Sequence, residues 1–111
     1  MKKRIIVLAI VTLTVCSFSN VFAEVNFENG KILFFNNNIA ENSSGKSCAS
    51  CHLDGKGLSK SYSKNDFYFQ GRHMRSIQEA VDFCVVQNVK GKPLGSNSDE
   101  MLSILEYIKQ F

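Results

Sequence analysis

Cys48-Ala49-Ser50-Cys51-His52 is the stretch that decides how the rest of the chain reads. Two thiols separated by two residues can both add to the vinyl groups on one edge of a haem. A histidine directly after the second thiol is then held beneath the iron, where its imidazole can coordinate. Cys48 and Cys51 therefore read as covalent attachment points and His52 as the proximal iron ligand. One such motif is present, so one haem c is expected. A thioredoxin-like redox pair needs a βαβ setting that the flanking sequence lacks. A zinc site lacks a second pair of metal-type ligands, and a Cys48–Cys51 disulfide closes too small a loop to stabilise much.

Toward the N-terminus, residues 1–23 read as a cleaved signal peptide. Lys2, Lys3 and Arg4 form a positive start, Ile5 to Val15 is a nearly unbroken apolar run, and Val21-Phe22-Ala23 is a plausible cleavage point. Val15 is larger than the residue a lipidation site prefers before its cysteine, which argues against lipidation of Cys16. The apolar run is short for a bilayer span and no second one of about 20 residues follows. The expectation is an exported, periplasmic domain over residues 24–111 with no integral membrane segment after cleavage.

The whole sequence has a formal net charge of +3. Without the three leader cations the basic and acidic residues balance, so the charge gives no sign of nucleic-acid binding. A domain of this size buries a modest share of its surface and usually needs a staple. Three cysteines remain after cleavage, an odd number for a disulfide framework in an oxidising compartment. A covalent cofactor accounts for them better.

From Asn26 the spacing of Phe27, Gly30, Lys31 and Phe34 predicts a helix over about 26–37. Asn42 to Ser47 is a turn-rich approach to the motif, and Asp54-Gly55-Lys56-Gly57 is another turn beyond it. Tyr62, Phe67, Tyr68 and Phe69 follow neither helical nor strand period and are expected in a loop around something apolar. Ser76 followed by Glu79 reads as a capping box for a helix from Ser76 to Asn88, with Ile77, Ala80, Val81 and Cys84 on its apolar face. Gly91 to Gly95 ends it. Asn97 followed by Glu100 then caps a last helix with a stripe of Met101, Ile104, Leu105 and Ile108. Strand signals are essentially absent, so the expected class is all-α.

The chain resembles class I c-type cytochromes, with Gly30 and Phe34 in a G-x-x-x-F pattern on the first helix and Ile104 and Tyr107 on the last. The resemblance implies a small cytochrome c fold in which N- and C-terminal helices cross beside one covalently bound haem. It also implies that Gly30 permits their close approach, with Phe34 and Tyr107 packing alongside.

The family's usual distal methionine is missing from Asn88 to Ser98. Cys84, followed by Gly91-Lys92-Pro93-Leu94 and a capped helix, resembles the corresponding segment of thiosulfate dehydrogenases and the haem subunit of thiosulfate-oxidising (Sox) complexes. That resemblance implies Cys84 as candidate distal iron ligand, with Met74, His73 and Met101 as alternatives. Thiolate ligation would lower the reduction potential. Arg72, Arg75 and Lys92 are expected at the surface or beside a haem propionate.

These features lead to a carrier of single electrons between periplasmic redox proteins, more an electron carrier than a stand-alone enzyme. The alternative is a haem subunit or enzyme of thiosulfate or sulfur-compound oxidation. A ligand-sensing domain is a third reading and needs an iron position that opens.

Overall fold

Asn26 starts the first helix, α1 (Phe27–Phe34), by accepting the backbone N–H of Asn29 on its side-chain oxygen at 2.8 Å. The structure is a computed structural model and describes residues 24–111, so the expected signal peptide, Cys16 and the boundary after Ala23 lie outside the described residues. The helix stops at Phe34, short of the expected residue 37, because the run of asparagines that follows favours local side-chain bonds over helix: Asn36 Oδ1 accepts from Asn38 N–H.

The largest interface of the fold is α1 against the last helix, α4 (Asp99–Ile108). Its closeness is set by Gly30, where any side chain would collide with the Ser103 carbonyl. Phe34 and Tyr107 pack beside that contact with ring centroids 4.9 Å apart. Phe34, Met101, Ile104 and Val85 are the largest fully buried side chains, each worth roughly 1.5–3 kcal/mol of transfer free energy. The cap of α4 is Ser98, whose hydroxyl accepts from Met101 N–H at 3.1 Å, one residue later than the Asn97 expected.

Between these helices lie α2 (Ala49–His52), a single turn, and α3 (Ile77–Cys84). Ser76 caps α3 by accepting Glu79 N–H at 3.2 Å, as its capping box predicts. The returning Glu79 carboxylate takes the N–H of Arg75 instead of that of Ser76. After Cys84 the helix widens into a π-turn, Val85–Val89, and ends on Lys90 in the left-handed region at φ 62°.

The expected all-α class is overturned by a two-stranded antiparallel sheet, β1 (Asn65–Phe69) with β2 (Arg72–Ser76), so the domain is mixed α and β. Phe67 pairs with Met74 and Phe69 with Arg72, which puts them on one face, while Tyr68 and His73 pair on the other. The aromatic segment that looked aperiodic alternates after all, with Phe67 and Phe69 partly buried and Asp66 and Tyr68 exposed. Gln70 (φ 48°) and Gly71 (φ 75°) make the two-residue turn with both φ positive that suits strand twist. Gln-Gly is an uncommon pair for that turn, and β2 carries one buried apolar residue, Met74. The hairpin docks on α3 through an edge-to-face contact of Phe69 with Phe83 and the Arg72 guanidinium over Phe83.

Among the described residues no helix is long and apolar enough to cross a membrane.

Candidate functional site

The backbone of α2 carries the motif in one turn, with Cys51 and His52 N–H both donating to the Cys48 carbonyl at 3.2 and 2.9 Å. Ser47 steadies its entry by donating its N–H to Ser50 Oγ at 2.9 Å. Beyond His52 the chain turns sharply, with Asp54 in the left-handed region at φ 54°. That turn brings the Lys56 carbonyl to 2.7 Å from His52 Nδ1. A carbonyl oxygen only accepts, so Nδ1 carries the proton and Nε2 keeps its lone pair for a metal. Fixing the ring by its other nitrogen is how a ligating histidine is oriented.

Cys48, Cys51 and His52 line one cavity of about 910 Å³, counted with its open mouth. Its walls are mainly apolar, with Phe34, Leu58, Ile104 and Ile108 from the core and Phe67 and Phe69 from the hairpin. Cys84 lines the same cavity from α3. Met74, His73 and Met101 do not. Met74, in β2, is buried at 4% exposure and Met101, in α4, is fully buried. His73 lies on the outer face of the hairpin, bonded to Asp66. Of the four residues considered for the distal position, Cys84 alone shares the cavity with His52.

Cys48, Cys51 and Cys84 are free thiols. Burial pushes the Cys48 thiol up to about 11, with the nearby Cys84 and Cys51 adding to the rise. Burial also raises Cys84, and the neighbouring Asn88 side chain pulls it back by hydrogen bonding. Without a cofactor, both thiols are therefore neutral near pH 7. Among the described residues no group of three or more His, Cys, Asp or Glu side chains is placed to hold a metal ion by itself, which does not suit a closed zinc site.

Several contributors to the site were not singled out from sequence. Asn88, in the π-turn, lines the cavity beside Cys84. Asp82, one short step before Cys84, accepts the N–H groups of Leu94 and Gly95. Ser61 and Lys64 also line the cavity. Arg72 and Lys92, expected at the surface or beside a haem propionate, lie at the surface: Arg72 covers Phe83 and Lys92 pairs with Glu41 at 2.8 Å.

A haem c fits what is present. Two thiols stand at the required spacing, an imidazole nitrogen is left free, and the walls suit a large apolar ring. Ser61 Oγ is buried in the wall without a hydrogen-bond partner, the state of a polar atom that a polar cofactor substituent would satisfy.

A motif of this kind on a helical turn, facing an apolar cavity closed by two crossing helices, defines a c-type cytochrome domain. The chain belongs to the SoxA/TsdA cytochrome c domain family, which it matches over residues 30–111. A curated relative, the L-cysteine S-thiosulfotransferase subunit SoxA of Pseudaminobacter salicylatoxidans, is 33% identical over 76 residues, covering 65% of this chain and 26% of the relative. The chain thus spans about a quarter of that protein's length. No solved structure matches it.

Proposed function

We propose that the domain is an exported monohaem c-type cytochrome that carries single electrons between periplasmic redox partners in sulfur-compound oxidation. Cys48 and Cys51 would hold haem c through thioethers, and His52 Nε2 and Cys84 Sγ would ligate its iron. The observation that carries this reading is the sharing of one cavity by His52, with Nε2 free, and Cys84. Bound haem supplies a one-electron ferric/ferrous couple. The protein's part is to keep water from most of the ring, hold both ligands in place, and leave a mouth at which a partner can approach.

Export is supported by residues 1–23, whose sequence has the three parts of a signal peptide. A near-neutral surface suits weak, transient partners with little electrostatic steering.

A second reading has a specific observation behind it. The relative's printed name is that of a thiosulfotransferase subunit, and a sulfur atom stands in the cavity here. On this reading the domain is a haem subunit acting on thiosulfate or a similar sulfur anion, with Cys84 meeting the substrate and a partner subunit completing the machinery.

One set of measurements tests both. A pyridine haemochrome assay of the exported protein is expected to return one c-type haem, and a protein without covalent haem overturns the whole proposal. Low-spin thiolate signals in electron paramagnetic resonance, lost in Cys84→Met, support the distal ligand. Haem reduction by added thiosulfate at a useful rate favours the subunit reading, and reduction only by partner cytochromes favours the carrier.

A further inference from the structure

We infer that Ser61 and Lys64 form the seat for one haem propionate, the hydroxyl and the ammonium both donating to its carboxylate. This deepens the reading of the cavity as a haem c site and rests on it.

Ser61 is 6% exposed, and its Oγ is the one buried side-chain oxygen or nitrogen among the described residues with no hydrogen-bond partner. A buried hydroxyl left unbonded costs free energy, so a partner from outside the chain is called for. Ser61 lines the haem cavity, and so does Lys64. The two are joined by a short 3-10 turn, Ser61–Ser63, in which Lys64 N–H donates to the Ser61 carbonyl at 3.0 Å.

The turn is firmly placed. Ser61 N–H donates to the Leu58 carbonyl at 2.9 Å, and Lys60, in the left-handed region at φ 57°, donates its N–H to the Phe111 carbonyl at 3.0 Å. Lys64 has no acidic partner within ion-pair distance among the described residues; its ammonium lies 6.0 Å from the centre of the Phe67 ring. A fixed hydroxyl and an uncommitted ammonium on one wall are a donor set for a carboxylate.

Haem chemistry selects which carboxylate. The thioethers occupy the vinyl edge, at Cys48 and Cys51, and the two propionates lie on the opposite edge. The other cavity-lining donors have places of their own. Ser47 adjoins Cys48, with its hydroxyl 3.4 Å from that of Ser50. His52 Nδ1 is held by Lys56, and Asn88 acts on Cys84. Ser61 and Lys64 are left for the propionate edge.

The test uses the matured holoprotein and three variants, Ser61→Ala, Ser61→Thr and Lys64→Gln, each first shown by pyridine haemochrome to carry its haem. Resonance Raman spectroscopy reads the propionate-bending band, and potentiometry between pH 5 and 9 reads the pH at which the potential changes slope. Ser61→Ala is expected to shift the band and move the slope change to higher pH, because the ionised carboxylate loses a donor. Ser61→Thr restores both. Lys64→Gln also moves the slope change upward and lowers the potential at neutral pH, through loss of a positive charge near the ring. Band and slope pH unmoved in both Ser61→Ala and Lys64→Gln overturn the assignment while leaving the haem reading intact. A chain that takes up no covalent haem overturns the haem reading and this assignment with it.

Discussion

The Asp82 carboxylate accepts the backbone N–H of Leu94 at 2.7 Å and that of Gly95 at 3.1 Å, tying the loop beyond the π-turn back to the helix that carries Cys84. Leu94 in turn packs against the core. Hydrogen bonds to a charged acceptor are worth about 1.5–3 kcal/mol. Asp82→Ala is therefore expected to lower the stability of the holoprotein by about 2 kcal/mol in guanidinium unfolding, with a smaller loss for Asp82→Asn. No change in midpoint for Asp82→Ala counts against the tether.

Gly30 faces the opposite kind of constraint, a lack of space. A methyl group there meets the Ser103 backbone and Tyr107 Cβ, neither of which can rotate away. Gly30→Ala should cost about 3 kcal/mol through forced separation of α1 and α4, visible as a lowered thermal midpoint. Helix propensity alone, which favours alanine, predicts the reverse sign.

With Cys84 as the proposed iron ligand, Cys84→Met would exchange a thiolate for a thioether, which donates less electron density to ferric iron. The reduction potential is expected to rise and the thiolate signature to vanish. Asn88→Ala should move the potential the other way, since a hydrogen bond to the ligand sulfur is lost. Met74→Leu and His73→Gln should leave the absorption spectrum as it is, because neither residue lines the cavity. A spectrum altered by either of these two reopens the choice of distal ligand.

In the protein made without haem, the Cys48 thiol stays protonated until about pH 11 because it is buried. Alkylation needs the thiolate, so below that pH the labelling of Cys48 should rise about tenfold per pH unit, then level off. Site-resolved mass spectrometry across pH 7–11 reads this directly, and labelling of Cys48 that saturates near pH 8 contradicts the burial.

The attachment motif is local in the chain, running from Cys48 to His52, so the haem c expectation could be drawn from sequence alone, and the cytochrome c domain family supports it. The crossing of α1 and α4 was expected from the resemblance to class I c-type cytochromes, carried by Gly30 and Phe34 on one helix and Ile104 and Tyr107 on the other, and the close approach at Gly30 agrees with it. The hairpin was not expected. Its turn is Gln70-Gly71, and β2 reads Arg-His-Met-Arg-Ser, so the one apolar residue that faces inward has polar neighbours in sequence. What identifies these strands is their pairing with each other and their docking on Phe83, neither of which has a sequence period. The expected helix from Ser76 to Asn88 corresponds to α3 and the π-turn taken together, Ile77 to Val89, but the change of winding after Cys84 was not legible, because a π-turn leaves the same apolar pattern. The Asp82 tether spans 12 residues, and the Ser61 hydroxyl becomes notable only once it is seen to be buried without a partner.

The clasp of α1 on α4 bears on the order of assembly. Synthesis delivers residues 27–34 before residues 99–108, so the side of the cavity formed by Ile104 and Ile108 is still missing when the motif emerges. The motif between them passes through a stage in which both thiols are open to the machinery that attaches the cofactor. Attachment first and closure afterwards is the order that this wrapping would permit, with α4 settling over the motif once a cofactor is held there.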